Sequence, residues 1–256
     1  TVTSVAPPCS VQASVNVAVQ PQPDAGVDGA TTVCASDAPF ALISVLGGTP
    51  DGTGTWSDPS GALSLGTLDP ATAIPGTYTY TIAGIVPCTS SSANVSITIN
   101  ASPNAGVNGA ASICSNGAPI LLFNSLGGTP SAGGTWTGPG GVPFSGSYDP
   151  TVNAPGIHTY TVNGTAPCPN STATVTVVEN ALPQAGTSAT ANFCSTDPIV
   201  DLTALLGGTP DVNGSWADPV GNVIGTSLTP SGAASGVYTY TVSGTAPCPD
   251  AQATLD

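Results

Sequence analysis

The chain copies itself at a fixed interval of 80 residues, and each copy carries two cysteines. Cys34, Cys114 and Cys194 keep this spacing, as do Cys88, Cys168 and Cys248, Trp56, Trp136 and Trp216, and the Leu-Gly-Gly-Thr-Pro blocks ending at Pro50, Pro130 and Pro210. The interval exceeds the roughly 20 to 50 residues of solenoid and propeller units, so each copy is expected to be a whole small domain. Function is then to be sought in the array before any single residue.

A domain of this size has a thin core. Apolar residues make up 40% of the chain but aromatics only 5%, and small domains of that kind commonly need a covalent staple. The two cysteines of a copy lie 54 residues apart, which suggests bridges within each copy: Cys34 with Cys88, Cys114 with Cys168, and Cys194 with Cys248. Closing such a loop is worth about 4 kcal/mol in the chain-entropy model. Paired cysteines imply an oxidising compartment and therefore export. Cys9 is left over, either as the late cysteine of a preceding copy whose partner lies upstream of Thr1 or as a free thiol. With no signal peptide and no apolar run of about 20 residues, the chain reads as a processed or excised part of an exported protein.

Charge removes several classes of partner. There is no lysine or arginine and one histidine against 14 acidic residues, a net charge of −14. Such a surface cannot neutralise phosphates, so nucleic acid and anionic membranes are excluded as partners. Trypsin-like proteases find no cleavage site.

The local pattern is β throughout. In Gly76–Ile82, Tyr78, Tyr80 and Ile82 alternate with threonines, the period of a half-buried antiparallel strand. The pattern recurs at His158, Tyr160 and Val162 and at Tyr238, Tyr240 and Val242. A second alternating run follows each late cysteine, as at Val95, Ile97 and Ile99, and earlier from Val11 to Val19. Thr31 to Cys34, Phe40 to Leu46, the stretch from Gly54-Thr55-Trp56 and Ala62 to Leu68 add shorter strands, with a turn at Gly47–Pro50 and Trp56 as core plug. Six or seven short strands punctuated by 32 Gly and 26 Pro predict an all-β chain of tandem immunoglobulin-like β-sandwich domains, one disulfide each. The expected bounds are 1–20 for the tail of a preceding copy, then 21–100, 101–180 and 181–256, the last with a truncated final strand. Short proline-containing links predict an extended rod of roughly 100 Å.

Chemistry is scarce. His158 takes the slot of Tyr78 and Tyr238 and reads as a strand residue at the sheet rim, so no catalytic set can be assembled around it and no enzyme is expected. The one metal candidate is calcium at Asp24 and Asp28, whose counterparts drift to Asn104 and Asn108, then Gln184 and Ser188. Asp58, Asp69, Asp149, Asp197 and Asp218 each precede a proline and read as turn starters rather than ligands. Asn94, Asn100, Asn163, Asn170 and Asn213 match the Asn-x-Ser/Thr glycosylation pattern.

Pro-x-Ala-Gly, the early cysteine, Leu-Gly-Gly-Thr-Pro (Leu126–Pro130), Thr135-Trp136, Asp149-Pro150, His158-Thr-Tyr-Thr-Val162 and Ala-Pro-Cys together resemble the Ig-like, PKD-like repeats of giant cell-surface proteins of Bacteroidota, gliding-motility-associated or adhesin-like. The resemblance implies secretion through the type IX pathway and display on the cell surface. Two roles follow as expectations. The first is an extracellular stalk or filament segment giving reach, stiffness and protease resistance, with further copies of the repeat as partners. The second is an adhesin module recognising glycans or another cell surface through its loops, with calcium assisting.

Overall fold

A computed structural model describes residues 14–256. The first repeat contains β1 (Gly29–Cys34), β2 (Phe40–Ala41), β3 (Thr55–Ser57), β4 (Leu63–Ser64), β5 (Thr67–Leu68), β6 (Gly76–Ile82) and β7 (Ser91–Asn100). Alternation drives the long strands: β6 buries Tyr78, Tyr80 and Ile82 while its threonines point outward, and β7 buries Ala93, Val95 and Ile97. Two expected strands are shorter than their sequence suggests. Phe40 to Leu46 forms a strand only at β2, then winds into a 3-10 turn at Leu42–Val45 that carries Leu42 into the core. Ala62 to Leu68 divides into β4 and β5 at Gly66, whose φ of 75° and 2.7 Å approach of a Cβ to the Trp56 ring leave room only for glycine.

One sheet runs β1-β7-β6-β3-β4, and β2 pairs with β5 in a second, two-stranded sheet. All pairings are antiparallel except β1 with β7, which run parallel with Gly29 opposite Val95 and Cys34 opposite Asn100. The first strand therefore edges the sheet of the last, and the short second sheet covers the other side of the core. This is an immunoglobulin-like β-sandwich in reduced form.

The second repeat follows the same plan through β8 (Gly109–Cys114), β9 (Ile120–Leu121), β10 (Thr135–Thr137), β11 (Pro143–Phe144), β12 (Ser147–Tyr148), β13 (Gly156–Val162) and β14 (Ser171–Asn180). The third comprises β15 (Val200–Asp201), β16 (Ser215–Ala217), β17 (Val223–Ile224), β18 (Ser227–Leu228), β19 (Tyr238–Val242) and β20 (Ala251–Leu255). It lacks a strand equivalent to β1 and β8; only Ala189 makes an isolated parallel bridge, to Leu255. Each repeat has its own core, in which Trp56, Trp136 or Trp216 packs on Tyr80, Tyr160 or Tyr240 at ring separations of 4.9, 5.0 and 5.1 Å. The tryptophans are core plugs.

The chain folds as two compact units. One is Thr1–Ser102 joined by Thr165–Cys168, and the other is Pro103–Gly164 with Pro169–Asp256. A four-residue turn of the second repeat thus belongs to the first unit. In the expected strand from Val11 to Val19, residues before position 14 lie outside the described residues; Ser14–Gln20 forms no strand, and Val15, Val17 and Val19 are exposed.

Candidate functional site

The disulfides do not close within the repeats. Cys34 bonds Cys168 and Cys114 bonds Cys248, each across 134 residues with Cα atoms 4.9 Å apart. The expected pairs Cys34–Cys88, Cys114–Cys168 and Cys194–Cys248 are corrected accordingly, and among the described residues Cys88 and Cys194 have no disulfide partner. Cys9 lies outside the described residues. The physical reason is the parallel pairing of β1 with β7. It sets Cys34 beside Asn100 at the far end of β7, whereas Cys88 sits in the turn before Ser91 at the near end. At about 3.3 Å per residue the two cysteines are separated by roughly 30 Å, far beyond the reach of a disulfide.

What stands at the far end is the late turn of the following copy. In the first unit the Asn100 side-chain amide donates to the Ala166 carbonyl at 2.8 Å, and Cys168 Sγ lies 3.5 Å from the Asn100 carbonyl. Asn100 O also accepts from Ala35 N, and Cys34 N donates to Asp37 at 2.8 Å, locking the turn that presents the sulfur. The second unit repeats the arrangement. Asn180 donates to Ala246 O at 2.7 Å and to Ser112 Oγ at 3.0 Å, and Cys248 Sγ lies 3.3 Å from Asn180 O. Each site is a β-strand end, an asparagine and a Pro-Cys turn clamped by one covalent bond.

The asparagines escaped the sequence reading, although Asn100 and Asn180 obey the 80-residue spacing. Only the fold shows why they matter, because their partners lie 65 or more residues away. Asn100, a glycosylation match, has its amide engaged in this junction.

The calcium candidates serve the backbone. Asp24 accepts from Gly26 N at 2.8 Å, and Asp28 accepts from Asn94 N at 2.7 Å. Asn104, Asn108 and Ser188 accept from the corresponding amides of Gly106, Thr174 and Thr254. The slot of Asp28 asks for an acceptor rather than a charge, which accounts for its drift to Asn108 and Ser188. Among the described residues no three His, Cys, Asp or Glu side chains are grouped to hold a metal. Asp58, Asp69, Asp149 and Asp218 start turns by accepting from the amide two residues on; Asp197 instead accepts from Cys194 N.

His158 is not at a sheet rim but buried, between Phe144 at 4.6 Å and Tyr148 at 5.5 Å, with Nδ1 3.3 Å from Gly156 O. Burial holds its pKa below the usual 6.5, with the Gly156 carbonyl opposing the shift. Tyr148 is pushed up to about 12 by burial and by the Glu179 carboxylate its hydroxyl meets at 3.2 Å.

No protein-family description matches the chain, and no curated protein does. Among solved structures it is similar to an I-band fragment of titin, at 10% identity and a TM-score of 0.40 over 90% of this chain and 95% of the fragment. It is also similar to extracellular domains 3–5 of Drosophila OTK, at 13% identity and a TM-score of 0.34 over 93% of this chain and 99% of that one. A third likeness is to the insect immune protein hemolin, at 12% identity and a TM-score of 0.42 over 63% of this chain and 47% of hemolin.

Proposed function

We propose that the chain is an extracellular structural segment, part of a stalk or filament of a cell-surface protein, built to keep successive repeats joined. The observation that carries this reading is the pairing of Cys34 with Cys168 and Cys114 with Cys248. A bridge within a repeat would stabilise a small domain; a bridge to the next repeat adds a second covalent path at each junction. Load or proteolysis at the linker must then break two bonds to part the chain. The cystines call for an oxidising compartment, and the lack of Lys and Arg removes tryptic sites, both suited to life outside the cell. The resemblance to Bacteroidota surface repeats supports the same setting. In immunogold labelling of unpermeabilised source cells, antibodies to the chain are expected to decorate surface structures; labelling only after permeabilisation overturns the proposal.

A further inference from the structure

The two bridges overlap along the chain, and the overlap fixes which residues can carry tension. Cys34–Cys168 and Cys114–Cys248 each span 134 residues, and Cys114 falls inside the first span as Cys168 falls inside the second. Three stretches of chain therefore join one bridge to the other: 80 residues from Cys34 to Cys114, 54 from Cys114 to Cys168, and 80 from Cys168 to Cys248. Load entering before Cys34 and leaving after Cys248 draws the shortest stretch taut, and the two longer ones stay slack. At about 3.5 Å per extended residue, the 54-residue stretch reaches roughly 190 Å, whereas the 214 residues from Cys34 to Cys248 (248 − 34) would reach roughly 750 Å without the bridges.

The slack stretches hold β2 to β7 of the first repeat and β15 to β19 of the third. The taut one runs through β9 to β13 of the second. Tension reaches that repeat at opposite ends of one sheet. Cys114 closes β8 opposite Asn180, the last residue of β14. Cys168 lies in the turn before Ser171, the first residue of β14, where Val162 of β13 is paired. β8 and β13 flank β14 on its two sides, so load draws them in opposite directions along it. Their backbone hydrogen bonds are then sheared together rather than opened one after another.

We infer that the sheet of the second repeat is the load-bearing element of this chain, and that the two bridges cap its extension while keeping β2–β7 and β15–β19 out of the line of tension. The inference rests on the structural role proposed above and deepens it by stating how load passes through the bridged junctions.

The test is stretching of single whole chains, held at their termini in optical tweezers without reductant. Residues outside Cys34 and Cys248 contribute equally to every variant, so differences in length at high force read the bridges alone. They do so whether or not a variant folds, once peptide mapping has shown which bridge it retains. Cys34→Ser with Cys168→Ser, or Cys114→Ser with Cys248→Ser, leaves one bridge and an 80-residue path; either is expected to lengthen the chain by 26 residues (80 − 54), about 90 Å. Removing all four cysteines should lengthen it by 160 residues (214 − 54), about 560 Å. Bridges closed within the repeats would instead lengthen either pair variant by roughly 380 Å, and that result overturns the inference. Force supplies a second reading. Val175→Ala, at a buried position of β14, should lower the unfolding force of the bridged chain, and Val95→Ala, at the same position of β7, should leave it unchanged. A force that follows Val95 rather than Val175 would place the load in the first repeat and sink the idea. Surface labelling of source cells is independent of both readings, so either proposal can fail without the other.

Discussion

His158 shows how a single position can be rebuilt between copies. Repeats one and three place a tyrosine and a leucine together, Tyr78 with Leu68 and Tyr238 with Leu228, and the tyrosine hydroxyls donate to Ile74 O and Ala234 O. Repeat two reverses the sizes: His158 takes the tyrosine slot and Tyr148 the leucine slot, and the Tyr148 hydroxyl donates toward Asn153 O. The exchange carries a pH cost. With its folded pKa below 6.5, His158 stays neutral in the folded state while the unfolded chain takes up a proton. Stability is therefore present in full above pH about 6.5 and falls as pH drops toward the lower folded value. Thermal unfolding followed from pH 7.5 to 5 is expected to show the second repeat losing stability first, and His158→Tyr with Tyr148→Leu to abolish that loss. At Asp28, Asn108 and Ser188 do the same work in other copies. Asp28→Asn should leave the urea midpoint unchanged, whereas Asp28→Ala should cost about 0.5–1 kcal/mol.

At the scale of elements, the parallel edge strand is the feature most dependent on close approach. The first residues of β1 and β8 pass directly over the 3-10 turns; a Cβ on Gly109 would come within 1.7 Å of Ser125 O, and one on Gly29 within 2.0 Å of Val45 O. Backbone cannot yield there as a flexible side chain would. Gly109→Ala is expected to lower stability by about 1–3 kcal/mol, read as a shifted urea midpoint. The long alternating strands β6 and β13 were legible because side-chain period and burial coincide. The parallel strand was not, since six residues such as Gly109–Cys114 carry no sign of which strand they will join. Nor was the split of β4 from β5, which depends on the Trp56 ring pressing on Gly66.

For the whole molecule, the junction predicts a simple fragment experiment. Because the chain contains no Lys or Arg, Ala181→Arg introduces one tryptic site in the exposed linker after β14. Trypsin is expected to cut there, yet the two fragments should stay together in non-reducing electrophoresis through Cys114–Cys248 and part on reduction. In a Cys114→Ser background they should part without reductant. Fragments that separate in the unreduced parent would contradict the junction described above.

The 80-residue spacing by itself determined that the chain is an array of β-sandwich repeats, each with a tryptophan core, because periodicity and alternation are local and survive without knowledge of contacts. It also singled out the cysteines as the residues that matter. Their partners were decided only by tertiary structure: once β1 runs parallel to β7, Cys34 emerges at the far end of the sheet beside Asn100, and the sulfur within reach there is Cys168 of the next copy. Equal spacing fits a bridge inside a repeat and a bridge between repeats alike. The direction of one edge strand chooses between them.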